Sequence, residues 1–188
     1  MDIWSLKASA CELLAFSLRY PTADVADALA SGEWAAAAQE IADALGVALP
    51  ANFAAELACC SAGSPVCAGE GSAEAQENTQ VDALLHALRA DATRLFVGSP
   101  EPAVSPFEGV WRAADDGVDA LLFVNPHSME VERFCHACGL GRPQGTNEPL
   151  DFAPTELELL QYLASLEAGL VEPAEGAPAA ADLPGGSA

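Results

Sequence analysis

The strongest constraint in this chain is a run of leucines near its C-terminal end. Leu159, Leu163, Leu166 and Leu170 recur at intervals of three and four, with Leu157 and Leu160 beside them. That spacing is the helical repeat, and so wide an apolar face predicts a helix buried on most of its sides. The same period appears at the other end. Trp4, Ala8, Cys11, Ala15 and Leu18 mark one stripe, widened by Leu14, in a helix predicted from Ile3 to Arg19 and stopped by Pro21. Val81, Leu84, Leu85, Leu88, Leu95 and Phe96 mark a third, opening at Asn78 or Thr79. The segment "EWAAAAQEIADAL" reads as a helix ending near Gly46, and "ANFAAELACC" as another after Pro50. Thr22 and Ser31 are candidate caps. No alternating strand pattern of any length appears; "DALLFVN" is the one short run that resembles a strand, and it lies between helical stretches. Aromatic residues make up only 6% of a chain that is 51% hydrophobic and rich in alanine, which favours helix over sheet. An all-α fold is expected.

Prolines and glycines divide the pattern. Residues 61–78, "SAGSPVCAGEGSAEAQEN", are small and aperiodic and read as a flexible loop. Pro100, Pro102 and Pro106 impose an extended path. Phe107 and Trp111 follow, four apart, on a short predicted helix. Asn125 before Pro126 is an N-cap followed by proline at the first helical position, and Gly139 closes the helix that results. Residues 172–188 are Ala-, Pro- and Gly-rich and read as a disordered, low-complexity tail. The expectation is one domain over residues 1–171, long enough to bury a core without disulfides or metal.

The net charge of −21, from 28 acidic and 7 basic residues, argues against nucleic acid and anionic membrane as partners. A basic peptide would be attracted. No stretch approaches the length of a membrane span, and "MDIWSLKASACELLAF" lacks the basic, uninterrupted pattern of a signal peptide. A cytoplasmic protein with reduced thiols is expected.

The motifs that carry chemistry are few. "CHAC", Cys135 to Cys138, has no second CxxC to complete a zinc site and no histidine after its second cysteine, as haem attachment needs. Its cysteines share a helical face with Val131 and Phe134 and are expected in the core. Cys59, Cys60 and Cys67 suggest no better site. His86, His127 and His136 stand beside no evident nucleophile, and no phosphate-binding glycine loop precedes a helix. No cofactor, metal or catalytic residue is assigned, and no enzyme is expected. The turn "NEPLDFAPTELELL" leaves three readings of Glu148, Pro149 and Asp151: a cap for the last helix, an acid–base carboxylate pair, or the lip of a groove.

Three segments in register bear on the choice. "RLFVGSPEPAVSPFEGVW", "FVNPHSMEVERFCHACGL" and "NEPLDFAPTELELL" together resemble the TorD/DmsD family of chaperones for molybdenum-cofactor enzymes. The likeness covers residues 81–166. It implies a TorD-like helical bundle and a protein that binds the twin-arginine leader, the body, or both, of a molybdopterin oxidoreductase subunit during cofactor insertion and before export. By position it points to Leu95, Phe96, Pro106, Phe107, Trp111, Glu148, Pro149 and Asp151 as the client-binding residues. Asp151, with Glu148 or Glu108, would take guanidinium groups, and the apolar members would form a groove. Asp151 then serves as groove lip and helix cap together. Phe152 stands where the family has histidine, and Ala92 where an aromatic is common. The family also carries further apolar helices after the leucine helix, so a homodimer is an expectation. The competing reading is a non-catalytic helical scaffold of a larger complex, without a leader groove.

Overall fold

The structure is a computed structural model that describes residues 2–53, 73–98, 102–118, 126–141, 149–173 and 177. The order of elements is α1 (Ile3–Leu18), α2 (Ala23–Ala30), α3 (Glu33–Leu45), α4 (Ala73–Ala92), a π-helical turn (Thr93–Val97), α5 (Glu108–Asp115), α6 (Pro126–Ala137) and α7 (Ala153–Glu167). Among the described residues there is no strand; one isolated antiparallel bridge pairs Phe107 with Phe152. The fold is all-α, as the periodicity predicts.

The chain divides into two compact units. One joins residues 1–18 to residues 104–188, and the other is residues 19–103.

In the first unit α1 lies along α7, and α5 along α6. Its core gathers Cys135, Cys138, Leu150, Leu159 and Leu166, with Val131, Phe134, Leu140, Tyr162 and Leu163 packed against them. Both cysteines of "CHAC" are therefore small apolar core residues, and burial pushes their thiols up. Gly139, at φ 80°, ends α6 where the sequence places the stop.

The buried stripe of α1 is narrower than its leucine content suggests. On α1 it is Leu6, Ala8 and Ala15 that are buried, while Leu14 and Leu18 face outward. Small residues at 8 and 15 let α1 approach its neighbour closely, and the larger Leu14 lies off that line. On α7, Leu160 is 51% exposed, and Leu170 lies beyond the helix end and is exposed. Leu160 is the one exposed residue of α7; Leu159 and Leu166 are buried on one side and Pro154 and Ala164 on nearly the opposite one, so the helix is covered on most of its sides, as expected.

In the second unit α2 packs on α3 and on α4. Ala26 and Val25 are its buried centre, with Ala42, Leu84 and Ala92. The Arg89 guanidinium on α4 donates to the Pro21 carbonyl at 3.0 Å and lies over the Tyr20 ring. Trp34 meets Phe53 with ring centroids 5.9 Å apart. Helix α3 ends at Gly46, φ 71°, as read from the sequence. Thr22 occupies the N-cap position of α2 without a side-chain cap bond. Helix α4 begins at Ala73, ahead of the expected Asn78. The remainder of the 61–78 loop, most of the helix expected after Pro50, the Asn125 cap, Glu148 and most of the tail fall outside the described residues.

Candidate functional site

The Phe107–Phe152 bridge builds the site. The Pro106 carbonyl accepts from the Ala153 N–H at 2.8 Å, and the Asp151 carbonyl accepts from the Glu108 N–H at 3.0 Å. These bonds lay the proline-rich segment alongside the turn that precedes α7. Phe107 and Phe152 stack obliquely, 5.5 Å between centroids. Phe152 thus fills the family's histidine position as a packing partner for Phe107. Trp111 stands one turn into α5, 55% exposed, its indole N–H donating to the Ser105 carbonyl at 2.8 Å. Among the expected residues, Pro106, Phe107, Trp111, Pro149 and Asp151 are therefore brought together. Leu95 and Phe96, both half-buried, sit in the π-helical turn of the other unit.

Asp151 behaves differently from its sequence reading. It is 1% exposed. The N-cap position of α7 is Phe152, with no side-chain cap bond, so Asp151 does not cap the helix it precedes. Its carboxylate turns across the bridge to the start of α5. There it accepts from the Gly109 N–H at 3.0 Å and from the Ser128 hydroxyl of α6 at 2.6 Å. Carbonyl and carboxylate together satisfy two of the four orphan N–H groups of the α5 first turn, where negative charge also suits the helix dipole. One residue thereby ties three helices. Both bonds use one carboxylate oxygen, and the other is buried without a hydrogen-bond partner among the described residues.

Beside this strip lies a cleft of about 340 Å³, lined by Glu108 and Arg112 of α5, His127, Glu130, Val131 and Phe134 of α6, and Glu156, Leu159 and Leu160 of α7. Two of its acidic members, Glu108 and Glu156, act on one another. The Glu156 carboxyl is pushed up to about 7, first by burial, then by the charge of Glu108, a hydrogen bond to Glu108 and the charge of Asp151. One oxygen of Glu156 is fully buried without a hydrogen-bond partner among the described residues. Arg112 reaches Glu108 at 3.6 Å from the exposed rim. His127 Nε2 lies 2.9 Å from an Asp116 carboxylate oxygen, and its Nδ1 3.9 Å from Glu130.

The sequence analysis missed Glu156, although a signal is present. Glu156 stands three, four and seven residues before Leu159, Leu160 and Leu163, so a carboxylate lies in phase with the leucine stripe. His86 and His136 are exposed, and neither lines the cleft. Among the described residues no group of three or more histidine, cysteine or carboxylate side chains is placed to hold a metal ion.

A raised carboxyl makes stability depend on pH. The folded chain keeps a proton on Glu156 that the unfolded chain gives up at its ordinary carboxylate value. Between those values the folded state binds more protons, so stability falls as pH rises toward 7 and above. Glu156→Gln is expected to raise the urea midpoint at pH 8 and leave it nearly unchanged at pH 4. An equal shift at both values would contradict this account.

The family model described as nitrate reductase delta subunit matches residues 27–183. The chain belongs to this family. It is a family of NarJ/TorD-like chaperones that mature molybdoenzymes, assembly factors rather than catalysts. No curated protein and no protein of solved structure matches the chain. No helix among the described residues is long and apolar enough to cross a membrane.

Proposed function

We propose that the protein is a cytoplasmic chaperone that binds the twin-arginine leader of a molybdopterin oxidoreductase subunit, of the dimethyl-sulfoxide-reductase-like kind, while cofactor is inserted and before export. The observation that carries this reading is the bridged strip. It presents Phe107 and the exposed Trp111 on a framework pinned by Pro106, Pro149 and Asp151. An apolar edge on an acidic protein suits a segment with a hydrophobic stretch and two arginines. Leu95 and Phe96, in the other unit, are proposed as client contacts in their own right, as is Glu148.

The test is calorimetric titration with the leader of the molybdoenzyme encoded nearest the gene, with a twin-lysine leader as control. Micromolar binding is expected. Phe107→Ala and Trp111→Ala are each expected to weaken it about tenfold, the loss of an aromatic anchor near 1.4 kcal/mol. Sedimentation of the same preparation tests the homodimer. In the scaffold alternative, a helical subunit of a larger complex without a leader groove, neither aromatic variant alters partner binding.

A further inference from the structure

We infer that the cleft between α5, α6 and α7 is a subsite for one guanidinium side chain of a bound peptide, held between the Glu108 and Glu156 carboxylates with its alkyl stem on Val131, Phe134 and Leu159. That the peptide is the client's leader rests on the function proposed above; the subsite itself does not. It is separate from the aromatic edge at Phe107 and Trp111, neither of which lines the cleft.

Three observations converge. The cleft combines an apolar floor with carboxylates from all three helices, Glu108, Glu130 and Glu156, against one guanidinium, Arg112. Such a lining matches a group with an apolar stem and a cationic head. Glu108 and Glu156 line the same cleft from different helices, and two ionised carboxylates so placed favour a proton or a cation between them. A planar guanidinium can bridge two carboxylates, replacing the proton with two charge-assisted bonds. One oxygen of Glu156 is buried without a partner among the described residues, and it is an acceptor suited to a guanidinium N–H. Arg112 already leans on Glu108, but from the rim, in a half-exposed contact of 3.6 Å that is weak and readily exchanged.

Filling the subsite expels the proton held by the pair. The groups around Glu156 are Glu108 and Arg112 on α5, His127, Glu130 and Cys135 on α6, and Asp151 before α7. Binding of a cation therefore strengthens as pH rises from 6 to 8.

The experiment titrates n-butylguanidinium into the full chain at low ionic strength, with neutral n-butylurea as control, and follows backbone amide and His127 ring resonances. Saturable shifts confined to the cleft are expected, with a dissociation constant on the order of a millimolar, and none with butylurea. Glu156→Gln is expected to weaken binding at least about tenfold and to abolish its pH dependence. Arg112→Gln, which removes the internal competitor, is expected to strengthen it. Should Glu156→Gln not fold, Glu108→Gln gives the same reading. The inference is overturned by the absence of saturable shifts, by equal shifts with butylurea, by shifts at the Phe107–Trp111 edge instead, or by indifference to Glu156→Gln. A second arm separates the subsite from its proposed occupant. If leader peptide does not bind while butylguanidinium does, the client reading fails and the subsite stands. If leader binds equally well with its arginines replaced by citrulline, the guanidinium subsite fails and the client reading stands.

Discussion

Asp151→Ala is expected to destabilise the unit built from residues 1–18 and 104–188 by about 3 kcal/mol, because charged hydrogen bonds are worth about 1.5–3 kcal/mol each and a lost helix cap alone about 1. The variant removes the acceptor to which the Gly109 N–H and the Ser128 hydroxyl donate. It also removes the negative charge at the α5 N-terminus. Ser128→Ala severs only one of these bonds, and should cost about 1 kcal/mol. The measurement is urea unfolding read by tryptophan fluorescence in a Trp34→Phe background. Trp4 and Trp111 then report this unit, without the tryptophan of the other. An Asp151→Ala midpoint matching that of the parent would show that the carboxylate does not hold the three helices together. Leader affinity should fall in this variant as well, through the displaced Phe107–Trp111 edge rather than a lost contact. Affinity per folded molecule separates the two.

Leu166→Ala is the second large effect. Leu166 lies in the core with Cys135, Cys138, Leu150 and Leu159, and does not line the cleft. Removing its branched end leaves a cavity where α7 meets its neighbours, and a loss of about 3 kcal/mol is expected in the same assay. Binding of butylguanidinium by the folded fraction should be unchanged. Leu159→Ala should lower both stability and binding, since Leu159 serves the core and the cleft floor at once. Equal binding losses in the two variants would mean that cleft and core are not separable.

Helix identity was legible because it depends on local spacing. The residues of α1, α3, α6 and α7 carry their own periodicity and their own stops at Pro21, Gly46 and Gly139. Which leucines face inward was less so. Leu14 and Leu160 are as hydrophobic as Leu6 and Leu159, and only the partner helix decides between them. The site was half legible. Proline and aromatic residues marked the strip, and the turn before α7 announced itself by composition. The direction of Asp151 did not, because it depends on the Phe107–Phe152 bridge, whose two members are far apart in sequence. A cap reads as local in sequence even when it caps a different helix. Glu156 was hidden for a related reason. An acidic residue near a helix start looks like dipole compensation, and its partner Glu108 belongs to another helix.

The pairing of α1 with α7 bears on how the protein is made. Helix α1 leaves the ribosome well before α7, the helix it rests on. At about 5–20 residues per second, synthesis leaves α1 alone for on the order of ten seconds. During that time the side chains of Leu6, Ala8 and Ala15 lack their α7 partner, while residues 19–103 are already complete and can fold as their own unit. The docking of α7 on α1 completes the unit that holds both the aromatic strip and the acidic cleft.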